Sequence, residues 1–461
     1  MQVPPAEDGA RHEISPATLS RHDGAPLVVA VTCASGLFGR RIIRHLTALA
    51  RARKQRIQIR ALSRRPERLR AKLAELDCDT SPSARFALPG HTVEHVEGTS
   101  TTTTASVPGA PASRAKPSGD EEACVEVVMV AADLDDAANL RAAFKGVDSV
   151  FVNAPMTLEK GRRLKACILA AQVEAGVRPE SDLAGGADSS SVTSELALRP
   201  NIVLLGGGVE HDDALGAELV AAETALSSSG LPWCNLDSQT LIESHFLHPG
   251  QIECITTSDE IQARVGDGRI GFVALDDVAR AGAMLLLDAP NRCYREVMAC
   301  PSGRAGAGED CGKRAEEETD SNVRVGANDP LGLRASPDTA TKADVWRHHG
   351  HHYLISGPEA LTYTEAAAML SSVVKREVVY FDFPTEDAFR EVLELGGVPP
   401  EVIEVGIMCH HRAIREGKAT AVTDHYQRLT GVAPVSLQDW FGHHRDTFAA
   451  AAAPTDESVS E

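Results

Sequence analysis

Six short apolar runs, each followed by a stretch of helical length, leave this chain few folds to adopt. LVVAVT (27–32), RIQIRAL (56–62), VEVVMV (125–130), SVFVN (149–153), NIVLL (201–205) and LPWCNL (231–236) are aliphatic and β-branched. Most lack the polar alternation of a half-exposed strand, so they read as strands covered on both faces. Between them lie segments with helix signals. One runs from Gly36 to about Ala50, and another from Pro66 to Leu76 with proline in its first turn. Others cover 135–144, 158–175 and 214–229, the last with Gly230 just past its end. Strand–helix alternation of this kind closes through right-handed crossovers into a parallel sheet. The expected fold class is α/β, a Rossmann-type doubly wound parallel sheet with a smaller C-terminal α+β lobe.

The alternation is interrupted. A leader at 1–25, insertions at about 78–122, 178–200 and 301–350, and a tail at 449–461 carry few large apolar groups. Their burial cannot offset the entropy of ordering, so they read as long disordered insertions and ends. Removing them divides the chain into a dinucleotide-binding domain at 26–247 and a C-terminal substrate lobe at 248–448. The lobe contains RIGFVAL and a helix opened by Asp276 or Asp277. Beyond these come a strand HHYLIS, a helix begun by Thr362 with Glu365 three residues on, a strand VVYFDF and further helices.

Charge and cysteine usage narrow the function classes. The net charge is −19, from 65 acidic and 46 basic residues, a surface that repels phosphate backbones, and nucleic-acid binding is not expected. The ten cysteines include no CxxC pair, so neither a zinc knuckle nor a dithiol motif is expected. The N-terminus has no apolar signal segment and no run spans a bilayer, so the expected location is cytoplasmic, with no membrane partner.

The sharpest local signal is VVAVTCASGLFGRR. A strand ends at Thr32, and Ala34, Ser35, Gly36, Leu37, Phe38, Gly39 and Arg40 form the turn and first helical residues. Such a turn aims backbone N–H groups and the positive helix end at a pyrophosphate. Cys33 stands where the first glycine of that fingerprint usually sits. NAD-binding versions carry an acid at the end of the second strand. This chain has Ser63, Arg64 and Arg65 there, two guanidinium groups suited to a 2′-phosphate, and NADP (NADPH) is the expected cofactor. Arg41 beside Arg40 would add to that pocket. Asp133 is placed against the adenine, with Asp135 or Asp136 as a helix cap, and Asn153, Ala154 and Pro155 against the nicotinamide ribose.

Several stretches together resemble the NmrA-like group of atypical short-chain dehydrogenases. They are VTCASGLFG, RALSRRPERL, ADLDDAANLRAAFKGVDSVFVNAP, ELVAAETALSSSGLPWCNLDSQTLIESHF and GRIGFVALDDVARAGAMLLL, with YLISGPEALTYTEAAAMLSSVVKREVVYFDFP and LTGVAPVSLQDWFGHHRDTF toward the C-terminus. The resemblance implies NADP(H) binding. It implies either reduction of a small molecule, as in the group's quinone reductases and ergot-alkaloid dehydrogenases, or NADP(H)-responsive regulation through a protein partner.

The residues leave catalysis open. None of the five tyrosines has a lysine four positions later, and Gly206, Gly207 and Gly208 follow the fifth strand where a serine is usual. In related sequences a lysine precedes the helix glutamate by four positions; here that glutamate is Glu223 and Leu219 stands in the lysine's place. Hydride transfer survives without a relay when the acceptor is already electrophilic, as a quinone or imine is. His211 is the candidate general acid, weighed against an ordinary loop histidine. Gln239 and Glu243 are candidates for lining the substrate pocket. Cys33 at a helix N-terminus is a candidate redox thiol. His348, His349, His351 and His352 lack a nearby acid or cysteine, and no metal site is expected. A reductase of a small electrophile is the favoured reading, a non-catalytic NADP(H) sensor the alternative. A sugar-nucleotide epimerase is disfavoured because it needs the missing tyrosine and lysine.

Overall fold

The computed structural model describes residues 26–77, 93–96, 125–177, 199–207, 214–288 and 346–449. The leader, most of the insertions, the tail beyond 449 and His211 lie outside the described residues. In chain order the first half comprises β1 (Leu27–Val31), α1 (Leu37–Ala52), β2 (Ile57–Ser63), α2 (Pro66–Asp77), β3 (Val93–Val96), β4 (Val125–Ala131), α3 (Ala137–Phe144), β5 (Ser149–Val152), α4 (Lys160–Glu174), β6 (Asn201–Leu205), α5 (Ala214–Ser227) and β7 (Trp233–Ser238). The second half comprises α6 (Ile242–Phe246), α7 (Pro249–Thr257), β8 (Glu260–Ala263), α8 (Leu275–Leu287), β9 (His351–Ile355), α9 (Tyr363–Val374), β10 (Val379–Asp382) and α10 (Glu386–Leu395). A π-helical stretch, Val402–Met408, then runs into α11 (Cys409–Arg415), followed by α12 (His425–Thr430) and α13 (Leu437–His443).

Eight strands form one sheet in the order β3-β4-β2-β1-β5-β6-β7-β9, and every pairing is parallel. Strand alternation sends Val29, Val31, Ile57 and Ile59 to one face, where they pack with Ile42, Ile43 and Leu46 of α1 and Leu285 and Leu286 of α8. Ala30, Val150, Val152 and Ile202 face the other side and pack with Leu140, Leu164, Ile168 and Leu226 of α3, α4 and α5. The sheet is therefore doubly wound and Rossmann-like. Its direction of growth reverses between β1 and β5, the crevice where ligands bind in such sheets. Thr32 locks that crevice: its hydroxyl donates to the Asn153 carbonyl at 2.7 Å and accepts from the Asn153 N–H at 2.7 Å.

Two elements differ from the sequence reading. HHYLIS, expected in the small lobe, is β9 of the main sheet, registered on β7 from Cys234↔His351 to Ser238↔Ile355. A five-residue strand carries no mark of which sheet it joins; the open edge of β7 decided it. Val93–Val96, inside a stretch read as an insertion, pairs with β4 as the far edge strand.

The second lobe is a two-stranded parallel sheet, β10 beside β8, wrapped by helices. Its core joins Phe246, Phe272, Tyr363, Leu370, Trp440 and Phe441. Thr362 and Glu365 make the expected reciprocal cap of α9. Helix α8 is opened by neither Asp276 nor Asp277. Its first N–H, on Leu275, donates to the Glu243 carboxylate at 2.9 Å. Asp276 instead meets Arg44 at 2.5 Å, while Asp277 accepts from the Val435 N–H at 2.8 Å. Among the described residues, no helix is long and apolar enough to cross a membrane.

Candidate functional site

One cleft of about 1120 Å³ runs from the C-terminal edge of the sheet into the second lobe. Its near end is the turn after β1. Cys33 has φ +48°, a left-handed conformation that costs an L-residue about 1–2 kcal/mol, so glycine is the easier choice there. The turn is pinned from both sides: the Ala34 N–H donates to the Leu62 carbonyl and the Gly36 N–H to the Cys33 carbonyl, each at 2.9 Å. Helix α1 then starts without any side-chain cap at Gly36, which leaves its first-turn N–H groups to an anion. Gly39 permits the tight turn, because a Cβ there would stand 2.5 Å from the Cys33 carbonyl oxygen and 2.6 Å from the Ala34 Cα. Gly39→Ala is expected to cost about 1–3 kcal/mol through overpacking. Thermal unfolding measures the loss, and an unchanged melting point would refute this account of the turn.

The sequence-predicted residues divide into two groups. Ser35, Gly36, Leu37 and Phe38 line the cleft, as do Arg64 and Arg65 at the end of β2, Asp133 after β4, and Asn153, Ala154 and Pro155 after β5. Thr32, Ala34, Gly39 and Arg40 do not line it. The first three shape the turn beneath, and the Arg40 Nε leans back toward the Gly36 carbonyl at 3.4 Å. Arg41 is directed away from the cleft toward Asp276 of α8, at 3.5 Å. Arg64 and Arg65 are solvent-exposed, and among the described residues neither is in an ion pair. Asp136, not Asp135, caps α3, accepting from the N–H groups of Ala138 and Asn139. Asp135 pairs with Arg162 and Arg163 of α4, whose hydrogen bonds pull its carboxyl down to about 2.

The redox reading of Cys33 is corrected. Burial pushes its thiol up to about 11 despite the nearby charges of Arg64, Arg163 and Lys160, so it stays protonated. His348 proves to have an acid beside it after all: Asp288 at 3.3 Å, with the Tyr353 hydroxyl at 2.8 Å on its other nitrogen. Burial opposes ionisation of Asp288, but His348 and the guanidinium groups of Arg347 and Arg53 win and hold it at about 2. His349 accepts from the Trp233 N–H and His352 faces Asn235, so these rings fasten β9 and the turn before it to β7. Among the described residues no three His, Cys, Asp or Glu side chains converge on a metal.

Deeper in the cleft lie residues that the sequence reading barely touched. Gln239, just past β7, is 2% exposed, and neither its amide oxygen nor its nitrogen has a hydrogen-bond partner. A buried primary amide facing a cleft with both functions idle is costly unless a ligand completes it. Glu243 lines the same wall, and burial raises its carboxyl. Beyond them His245 meets the Tyr363 hydroxyl and stacks on His411 at 5.9 Å, which stacks on Phe389 at 5.1 Å. His410 reaches the Thr240 hydroxyl at 3.0 Å. In sequence His245 lies more than 160 residues before the adjacent pair His410 and His411, with no motif to connect them.

Burial presses the imidazoles of His245 and His411 down to about 3, so both are neutral in the folded protein. The unfolded chain takes up a proton at each near pH 6.5, so stability falls as pH drops below that value. The expected loss is on the order of 1 kcal/mol per histidine by pH 5.5. Urea unfolding at pH 7 and pH 5.5 measures it, and equal midpoints would refute the burial of these rings.

Lys160, the first residue of α4, is the other residue the sequence did not single out. It is 3% exposed and borders the cleft beside Cys33. Burial lowers its ammonium to about 8. In EKGRRLK it reads as one more solvated charge at a helix start.

No family model matches the chain. It is similar to (4-alkanoyl-5-oxo-2,5-dihydrofuran-3-yl)methyl phosphate reductase of Streptomyces griseus, 35% identical over 102 residues, which is 22% of this chain and 35% of that one. The match spans about a third of the length of the curated relatives. Among solved structures it resembles the NADPH-dependent quinone oxidoreductase QOR2 of Escherichia coli in complex with NADPH. The TM-score is 0.54 at 16% identity, over 90% of this chain and 99% of that one. It also resembles the triphenylmethane reductase of Citrobacter sp. complexed with NADP(H), with a TM-score of 0.53 at 16% identity over 91% and 99%. At such identities these likenesses establish the shared fold.

Proposed function

We propose that this protein is an NADPH-dependent oxidoreductase of the NmrA-like kind that reduces a small electrophilic organic molecule, such as a quinone or imine. The carrying observation is that the bare N-terminus of α1 and the guanidinium groups of Arg64 and Arg65 border one cleft. The first accepts a pyrophosphate and the second a 2′-phosphate. The fit of the cofactor rests on the uncapped start of α1 at Gly36 and on the unpartnered amide of Gln239. Asp133 borders the adenine end, while Asn153, Ala154 and Pro155 border the nicotinamide ribose. Bound NADPH supplies hydride to the acceptor.

The protein's own work is positioning and exclusion of water. Gln239 offers a donor and an acceptor to a carboxamide or carbonyl. Leu241, Tyr363 and the neutral His245 and His411 make an apolar, partly aromatic wall suited to a flat acceptor. Holding the acceptor there is what an electrophile needs for hydride transfer. The protein works in the cytosol with a small-molecule substrate. A sensor of the cofactor ratio needs the dinucleotide groove alone. This cleft continues past the groove into the lobe, which favours a substrate.

Supporting evidence also comes from the relatives: the Streptomyces griseus protein is a reductase, and the two solved neighbours are a quinone oxidoreductase complexed with NADPH and a triphenylmethane reductase complexed with NADP(H). Calorimetric titration of the full chain with NADPH and NADH, followed by absorbance at the reduced nicotinamide band with menadione added, tests the reading. Preferential NADPH binding and acceptor-dependent oxidation are expected. Equal affinity for both dinucleotides, or tight NADPH binding with no oxidation by quinone or imine acceptors, would overturn it.

A further inference from the structure

We infer that the Thr240 hydroxyl and the His410 imidazole, hydrogen-bonded to each other at the acceptor end of the cleft, are the proton-delivering couple of the reaction. The inference rests on the reductase reading above and deepens it.

Strand order places the couple. Arg64 and Arg65 stand at the end of β2 and the phosphate turn at the end of β1, with β5, β6 and β7 following in that order across the sheet. A cofactor held by those groups and by Asn153 to Pro155 leaves the ends of β6 and β7 to the acceptor. Thr240 lies just past β7, the strand about 4.8 Å beyond β6.

Both partners border the cleft and are fixed from behind. The Thr240 carbonyl accepts from the Val273 N–H at 3.0 Å, and the next residue, Leu241, bridges to Val273. Thr240 is 2% exposed, and its hydroxyl meets the His410 Nε2 at 3.0 Å. His410 arrives from the second lobe on α11, directly after the π-helical stretch, a local geometry that recurs at functional sites. Beside Thr240, the idle amide of Gln239 gives the acceptor a second anchor.

The groups around His410 do not compete for the role. His245 on α6 has its ring 5.5 Å away, and burial keeps both it and His411 neutral. Burial holds the Tyr363 hydroxyl protonated. Glu243 is engaged by the Leu275 N–H, and Glu386 and Glu404 by Arg390, Arg412 and Arg415. His410 itself is half-buried, so water can return a proton to it.

The step balances. A quinone that gains hydride from NADPH becomes a hydroquinone monoanion. The Thr240 O–H bond breaks as the hydroquinone O–H bond forms, and the His410 imidazolium gives its Nε2 proton to the Thr240 oxygen. Hydroquinone, an intact Thr240 and neutral His410 remain, and His410 takes its next proton from water.

Two measurements on the full chain test the couple. In single turnovers of bound NADPH with menadione, Thr240→Val and His410→Gln are each expected to slow nicotinamide oxidation at least about 10-fold, with NADPH affinity within a few-fold. The double variant should be no slower than the slower single one, and Thr240→Ser should recover most of the rate. Since delivery starts from the imidazolium, the wild-type rate should fall as pH rises, and that limb should vanish in His410→Gln. A wild-type rate in either single variant, or losses that multiply in the double one, would overturn the inference. The second measurement needs no turnover: 4-nitrophenol is titrated into the NADP⁺-saturated protein and its ionisation followed by the colour of the phenolate. Hydrogen-bond donation from the couple stabilises the phenolate, so bound nitrophenol should ionise at lower pH in wild type than in Thr240→Val or His410→Gln. If the wild-type protein reduces no menadione, the quinone reading fails and this titration alone decides the couple. Equal ionisation in the three proteins, or no nitrophenol binding, would overturn it.

Discussion

Replacing Arg64 and Arg65 together by alanine is expected to weaken NADPH binding by on the order of 100-fold while NADH binding changes only a few-fold. A hydrogen bond to a charged group contributes about 1.5–3 kcal/mol, and every 1.4 kcal/mol is a factor of ten in affinity. Both side chains sit in water, so each pair stands at the low end of that range and weakens further with salt. Removing both leaves the 2′-phosphate without a cation at the end of β2, where no acid awaits a ribose hydroxyl either. NADH lacks that phosphate and loses little. Paired calorimetric titrations of wild type and variant with the two dinucleotides read the outcome. Parallel losses for both would show that the arginines serve the pyrophosphate or the fold, and the case for NADPH over NADH would fall.

Trp346→Ala is expected to be among the most damaging single changes in the protein. The side chain is 2% exposed and belongs to the apolar cluster that holds Cys234, Leu286, Ile355 and Tyr426. Truncating a buried tryptophan costs about 3–5 kcal/mol, from lost transfer energy and the cavity left behind. The melting temperature should fall by several degrees, at about 2–4 °C per kcal/mol for chains of 150–250 residues. Trp346→Phe should recover part of the loss. A variant as stable as wild type would mean that the segment before β9 does not dock on α8 as described.

Trp346 also marks where sequence reasoning stopped. It lies inside the stretch 301–350 read as an insertion, a lone large residue after a long polar run. Local composition carries no signal for docking onto a helix some sixty residues earlier. The strands of the first half were legible because burial on both faces demands continuous apolar runs, and the phosphate turn because its glycines answer steric needs visible at Gly36 and Gly39. Arg64 and Arg65 were legible from their register at the end of β2. The far wall was not, because His245, Tyr363 and His411 meet through tertiary packing alone. Lys160 was missed for the opposite reason: of its neighbours, Arg162 is exposed and Arg163 half-buried, both pair with Asp135, and nothing local distinguishes the residue that is buried.

The pairing of β9 with β7 ties chain order to assembly. Cys234 and His351 are register partners, so the sheet's last edge stays open while the intervening stretch is synthesised. Contacts across such separations close slowly and leave an unpaired strand available to other chains meanwhile. A fragment ending near residue 247 would keep the phosphate turn yet lose α8 from beside α1, uncovering the part of the core that Leu285 and Leu286 close. The nucleotide half is thus not a module to be cut out: a ribosome must deliver residue 355 before this protein can hide its own interior.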